Sequence, residues 1–161
     1  FVEQNEKSKR CESCGFEYFL NPSSAVAAFI LNEQGELLVT RRKLDPGRGT
    51  LDLPGGFCDI DETIGEALMR EVKEETNLVI KEKRYFCSLP NKYRYSGFDI
   101  PTLDAFFVCR VEDETILKAA DDVAEAFWLP LSEVHTEQFG LRSIRQALYD
   151  FLQIELKNLK K

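Results

Sequence analysis

Three glutamates stand at positions 71, 74 and 75, and the steps between them are those of one face of an α-helix. If the segment is helical, their carboxylates converge one turn apart. At about 6 Å separation and an effective dielectric of about 20, each pair repels by roughly 3 kcal/mol, which a cation or protonation must offset. A hard, oxygen-ligating ion answers that requirement, and magnesium suits it best, because it combines a few carboxylates with waters and substrate phosphate oxygens. A run of charge on a helix is ordinarily a solvated face. Here Pro54-Gly55-Gly56 precedes it, and a glycine pair lets the backbone approach a ligand closely and offer its carbonyls.

The neighbouring residues set the limits of the element that carries the acids. Thr63 and Glu66 fit a capping box, with the hydroxyl and the carboxylate each satisfying a backbone amide at the helix start. Asn77 tolerates the left-handed conformation that ends a helix, so the spacing predicts a helix over residues 64–76. At about 100° per residue, Leu68, Met69, Val72 and Thr76 form a packing stripe, and Ala67, Glu71, Glu74 and Glu75 form the stripe facing a cleft.

Gly56, Glu62, the run Arg70-Glu71-Val72-Lys73-Glu74-Glu75 and Leu78 together resemble the Nudix box. One fixed position departs, since the family usually has glycine where this chain has Asn77, and asparagine is the residue that best substitutes there. The resemblance runs from about Ser24 to the C-terminal helix. It implies an α+β fold, a Nudix-type α/β/α sandwich with a mixed β-sheet between helices. It also implies hydrolysis of a nucleoside diphosphate linked to another moiety, with Mg2+ or Mn2+. Carried over position by position, it assigns metal ligation to Glu71, Glu74, Glu75 and the Gly55 carbonyl. Arg70 would orient the carboxylates and Glu62 would brace the loop, which makes these five side chains the catalytic set. Glu71 is one candidate for the general base. A further acid beyond the box is expected among Asp121, Asp122 and Glu125, with Asp122 preferred. Such an acid-rich site is compatible with an anionic substrate because the acids hold cations and the cations hold phosphates.

Arg41 and Arg42 end a strand just before the glycine turn, where they could steer phosphates; an ordinary solvated strand end is the competing reading. Composition agrees with one enzyme domain. The chain has 161 residues, 43% of them apolar, enough for one core and hardly two. Its formal charge is −7, and residues 59–75 hold seven acids against Arg70 and Lys73, so most of the excess belongs to the candidate site. No basic face suits a long nucleic acid, whereas a small nucleotide remains compatible. The absence of a long apolar run or a leader-like segment excludes a membrane span and leads to the expectation of a cytoplasmic protein with reduced thiols.

Residues 24–31 and 36–41 read as strands joined by a hairpin turn, and 51–54 as a short strand feeding the glycines. Residues 79–89 and 103–111 read as longer strands separated by a loop over 90–101 that carries Tyr93, Tyr95 and Phe98. A strand over 123–129 and an amphipathic helix over 140–159 complete the pattern. Tyr93 and its aromatic neighbours could stack on a base or form a contact in a homodimer.

The segment 1–22 stands apart from the domain at 23–161. Cys11-Glu-Ser-Cys14-Gly is half of a zinc ribbon, two thiolates on one knuckle. With Phe19-Leu20-Asn21-Pro22 leading into the first strand, this layout is similar to the NADH pyrophosphatase branch of the family. A zinc ion is therefore expected only in the intact protein, with a preceding knuckle supplied. Against NADH itself, only Ser88 and Pro90 match that branch's Ser-Gln-Pro-Trp-Pro-Phe-Pro element. His135, the single histidine, is expected at the surface, and Cys58, Cys87 and Cys109 as core or loop thiols. A non-catalytic nucleotide sensor acting through a protein partner is the alternative, and it would be expected to have lost acids that are all present here.

Overall fold

The computed structural model describes residues 1–158. Strands β1 (Val2–Asn5), β2 (Ser8–Arg10) and β3 (Glu17–Phe19) form a small antiparallel sheet of their own, in that order. The remainder runs β4 (Ser23–Ile30), β5 (Leu37–Arg42), β6 (Leu51–Asp52), β7 (Gly55–Phe57), α1 (Ile64–Thr76), β8 (Ile80–Tyr95), β9 (Phe98–Val111), β10 (Val123–Leu129) and α2 (Arg142–Asn158). Four strands make a mixed sheet in the order β7-β4-β9-β8, parallel only between β4 and β9. Three more make an antiparallel sheet in the order β10-β5-β6.

Strand β4 is apolar on both faces because it is covered on both. Val26, Ala28 and Ile30 pack toward Ala67, Leu68 and Val72 of α1. Ala27 and Phe29 pack toward Ile144, Leu148 and Phe151 of α2, with Phe29 stacked on Phe151 at 4.3 Å between ring centroids. A strand buried on both faces reads as a continuous hydrophobic run rather than an alternating one. The result is the expected α/β/α arrangement, with a cleft lined by residues of both sheets.

Helix α1 has the limits that its sequence predicts, but Met69 does not join the packing stripe. It is 42% exposed, with the Lys83 ammonium 3.4 Å from its sulfur, and Ala67 is fully buried instead. Met69 lies about 100° around the axis from Leu68, past the rim of the buried face. Helix α2 begins at Arg142 rather than 140, and the predicted end at 159 lies outside the described residues.

The expected loop over 90–101 is instead the outer half of a long hairpin. From Cys87 and Phe106 outward, strands β8 and β9 pair without a register shift to Tyr95 and Phe98, closed by Ser96 (φ 48°) and Gly97 (φ 85°). Two left-handed residues are what a tight two-residue hairpin requires. The prolines that suggested a loop occupy positions a sheet tolerates. Pro90 lies on the edge strand β8, and Pro101 falls just outside the β4 pairing, which starts at Thr102.

Candidate active site

Strand β6 leads through Pro54 into β7, which lies back across β4 with Gly55 opposite Ala27 and Gly56 opposite Val26. Both glycines are in close contact with what they face. A Cβ on Gly55 would collide with the Val26 carbonyl, and one on Gly56 would lie 2.6 Å from the Glu71 carboxyl carbon. The absent side chains therefore let the α1 acids approach the backbone turn.

Helix α1 is fixed at both ends. The Thr63 hydroxyl accepts from the Glu66 N–H at 3.2 Å while Glu66 accepts from the Thr63 N–H at 2.9 Å, and Asn77 closes the last turn at φ 63°. Arg70 is the hub of the face so positioned. Its Nε and Nη2 donate to the two oxygens of Glu62 at 2.9 and 2.8 Å, and Nη2 also reaches the Phe57 carbonyl at 3.0 Å. Its Nη1 donates to Glu71 at 2.8 Å and to Glu74 at 3.1 Å. The Arg70 fork, with the Asp59 N–H, holds the Glu62 carboxyl down at about 2. Hydrogen bonding to Glu62 above all raises the Arg70 guanidinium above its already high value.

The three glutamates differ in setting. Glu74 keeps 48% of its side chain exposed, whereas Glu71 keeps 13%. Burial pushes Glu71 up more than Arg70 pulls it down. Glu75 accepts a 3.0 Å hydrogen bond from the Gly55 N–H, yet burial, reinforced by the charges of Asp52, Glu71 and Asp121, pushes its carboxyl up to about 8. Glu71, Glu74, Glu75 and Asp121 thus line one cleft of about 530 Å³ with the Arg70 guanidinium among them. Such a donor set suits a hard dication in type, since added positive charge would offset the burial and like charges that push Glu75 up. Among the described residues no three acidic, histidine or cysteine side chains stand close enough together to hold an ion by themselves. Glu71 and Glu74 are drawn onto Arg70 Nη1, so water and substrate oxygens would have to complete the shell.

The other candidate residues separate. Asp121 and Asp122 both line the cleft, but it is the charge of Asp121 that raises Glu71 and Glu75. Glu125 pairs instead with Arg41 Nε at 2.7 Å across β10 and β5. Arg41, expected to face phosphates, does not line the cleft. It also donates to the Gly49 carbonyl at 3.0 Å and lies over the Phe127 ring, because successive strand residues point to opposite faces and Arg42 takes the cleft side. Arg42 donates to Asp52, to the Pro46 carbonyl and, at 3.2 Å, to the Tyr93 hydroxyl. Tyr93 meets Phe57 edge-on at 5.3 Å, and Tyr93 and Tyr95 line the cleft while Phe98 stands exposed at the hairpin tip.

Sequence reasoning missed a second, polar wall made by Thr40, Asp52, Asn91, Thr102 and Asp104, with Ser143 bonded to Asp104, all buried. Asp104 accepts from the Thr102 hydroxyl at 2.6 Å and from the Ser143 hydroxyl. The signal available was a charged residue inside an apolar strand: Asp52 sits between Leu51 and Leu53, Asp104 between Leu103 and Ala105.

Cys11 and Cys14 lie in the knuckle joining β2 to β3, where the backbone N–H groups of Cys14 and Ser13 hold the Cys11 thiol below its ordinary value. Among the described residues no third ligand gathers there. Cys109 is buried, Cys58 and Cys87 are partly buried, and His135 is exposed. No described helix is long and apolar enough to cross a membrane.

Comparison with known proteins gives a consistent family. The NUDIX domain profile matches residues 21–151. An ADP-ribose pyrophosphatase of Methanocaldococcus jannaschii is 33% identical over 119 residues, 74% of this chain and 68% of the relative. An NAD-capped RNA hydrolase NudC of Haemophilus influenzae is 35% identical over 162 residues, covering 96% of this chain, which spans only 58% of that relative. Among solved structures, a NUDIX hydrolase from Nitrosomonas europaea superposes with a TM-score of 0.74 at 22% identity, over 89% of this chain and 77% of the other.

Proposed function

Since the chain belongs to the NUDIX family, we propose that it is a divalent-cation-dependent hydrolase of the anhydride bond in a nucleoside diphosphate linked to a second moiety. Small dinucleotides and nucleotide sugars of the ADP-ribose type are the favoured substrates. The observation that carries this reading is the meeting of Glu71, Glu74 and Glu75 with the Gly55 turn in one cleft, buried enough to push Glu75 up to about 8. The similarity to an ADP-ribose pyrophosphatase supports the substrate class. A formal charge of −7 argues against extended contact with a long RNA, although one relative is named for a capped RNA.

A bound Mg2+ or Mn2+ would screen the phosphate oxygens and acidify an attacking water. Glu71, Glu74, Glu75 and the Gly55 carbonyl would hold it, with Asp121 or Asp122 closing the far side. Glu62 and Arg70 then act by position: the doubly hydrogen-bonded fork fixes Arg70, and Arg70 fixes the rotamers of Glu71 and Glu74. Glu71, next to Arg70 and mostly buried, is the candidate proton acceptor. Arg42 and Tyr93 would contact the substrate from the opposite wall. Cys11 and Cys14 would contribute half of a structural zinc site. A homodimer formed through the hairpin tip, where Phe98 is exposed, belongs to the same proposal.

Release of AMP from ADP-ribose and NADH, measured with Mg2+ for the parent and Glu75→Gln, tests the reading. A fall of at least about a hundredfold is expected for the variant, the scale of lost metal-site organisation. An unchanged rate would refute the assignment, and a parent inactive on every dinucleotide would favour a sensor.

A further inference from the structure

The wall facing the acidic helix is polar in a different way. Asp52 and Asp104 each keep acceptor capacity. Asp52 is engaged by Arg42 and by the Leu53 N–H, and Asp104 accepts one hydroxyl on each oxygen, from Thr102 and Ser143. A carboxylate oxygen can accept twice. On the same cavity surface lies Asn91, only 9% exposed, with no partner for its side-chain amide among the described residues. No fully enclosed side-chain nitrogen or oxygen among the described residues lacks a partner, so the Asn91 amide meets its hydrogen-bonding need in the cleft itself.

The register sets how far this wall lies from the glycine turn. Ala25 pairs with Phe57 on one side and with Asp104 on the other, and Asn91 pairs with Thr102 on the next strand. Two strand spacings of about 4.8 Å put Asp104 roughly 10 Å from β7, one sugar or base beyond a diphosphate held at the turn. Asp52 is paired with the Arg42 guanidinium and Asp104 only with hydroxyls, so a further phosphate beside Asp104 would be repelled, whereas a group bearing O–H or N–H donors would find three sets of partners.

We propose that Asn91, Asp52 and Asp104 form a recognition subsite for an uncharged, donor-bearing group of the substrate, either the diol of the sugar beyond the diphosphate or the exocyclic amine of the base, and that it excludes a third phosphate. This rests on the hydrolase reading and narrows it. The substrate is then a diphosphate bridging two bulky moieties, not a nucleoside triphosphate.

The test is steady-state kinetics of the parent, Asn91→Leu and Asp104→Asn with ADP-ribose, inosine diphosphoribose, ADP methyl ester and ATP. Asn91→Leu should raise KM for ADP-ribose about tenfold, the value of one lost hydrogen bond to a polar partner, with kcat within about threefold. If the sugar fills the subsite, ADP methyl ester is insensitive to the change and inosine diphosphoribose behaves like ADP-ribose. If the base amine fills it, those two responses are exchanged. ATP should be at least about a hundredfold poorer than ADP-ribose by kcat/KM for the parent, and Asp104→Asn should narrow that gap. Equal effects of Asn91→Leu on all four compounds, or none on any, would overturn the subsite, as would ATP turned over as well as ADP-ribose. Should the parent cleave nothing, the hydrolase reading fails on its own. The subsite is then judged by calorimetric binding of ADP-ribose, expected to weaken about tenfold in Asn91→Leu and refuted by equal affinity.

Discussion

Arg70 concentrates more of the site's geometry than any other side chain. It serves Glu62 with two parallel N–H groups and Glu71 and Glu74 with a third nitrogen, while 26% of its side chain remains exposed. Removing it leaves the Glu62 carboxylate without its fork and frees two others, so Arg70→Ala should move the urea midpoint to lower concentration. Arg70→Lys should recover less than half of that shift, because an ammonium keeps the charge and loses the fork; full recovery would show that charge alone matters. The same scale shows where the sequence was readable. Glu62, Arg70 and Glu71 are eight residues and one residue apart, so their grouping follows from one helix and its leading loop. Arg41 paired to Glu125 was not readable, since 84 residues separate the partners and only the β5 and β10 register joins them.

At the scale of elements, β7 and α1 work as one unit. Local chemistry made α1 legible: a cap at Thr63, a left-handed Asn77 whose side chain also donates to the Ile116 carbonyl at 3.0 Å, and an apolar stripe between them. The glycine turn matters because of what it lies against. Gly56→Ala would place a methyl group 2.6 Å from the Glu71 carboxyl carbon, and the flexible end of Glu71 would move aside. A fall in AMP release of at least about tenfold is expected, with a melting temperature within a few degrees of the parent. Unchanged kinetics would show that the Glu71 position is not critical. The hairpin of β8 and β9 was hidden for the opposite reason. Pro90 and Pro101 are loop signals unless one knows that β8 is an edge and that β4 begins only at Ser23, opposite Thr102, which are facts of tertiary arrangement.

Over the whole molecule, two walls of different chemistry face each other across one cleft. The acidic wall comes from a continuous segment and could be read directly. The polar wall comes from β5, β6, β8, β9 and the start of α2, and only folding brings Asp52, Asn91, Asp104 and Ser143 together. Both sheets and both helices are needed to hold these walls apart. The net charge follows the same division, since residues 59–75 carry most of the acid excess of the chain. Without a cation, Glu75 is an acid whose folded value lies at about 8 against an ordinary 4.5. Its contribution favours the fold at low pH and is lost as pH rises from about 4.5 through about 8. Cation and proton therefore compete for one carboxylate.

Titration of Mn2+ into the protein at pH 6 and at pH 8.5, followed by calorimetry, tests this competition directly. Binding should be markedly tighter at the higher pH, should release protons near pH 7, and should weaken at least about tenfold in Glu75→Gln with loss of the pH dependence. Equal affinity at both pH values, undiminished in Glu75→Gln, would contradict a dication held by the end of α1.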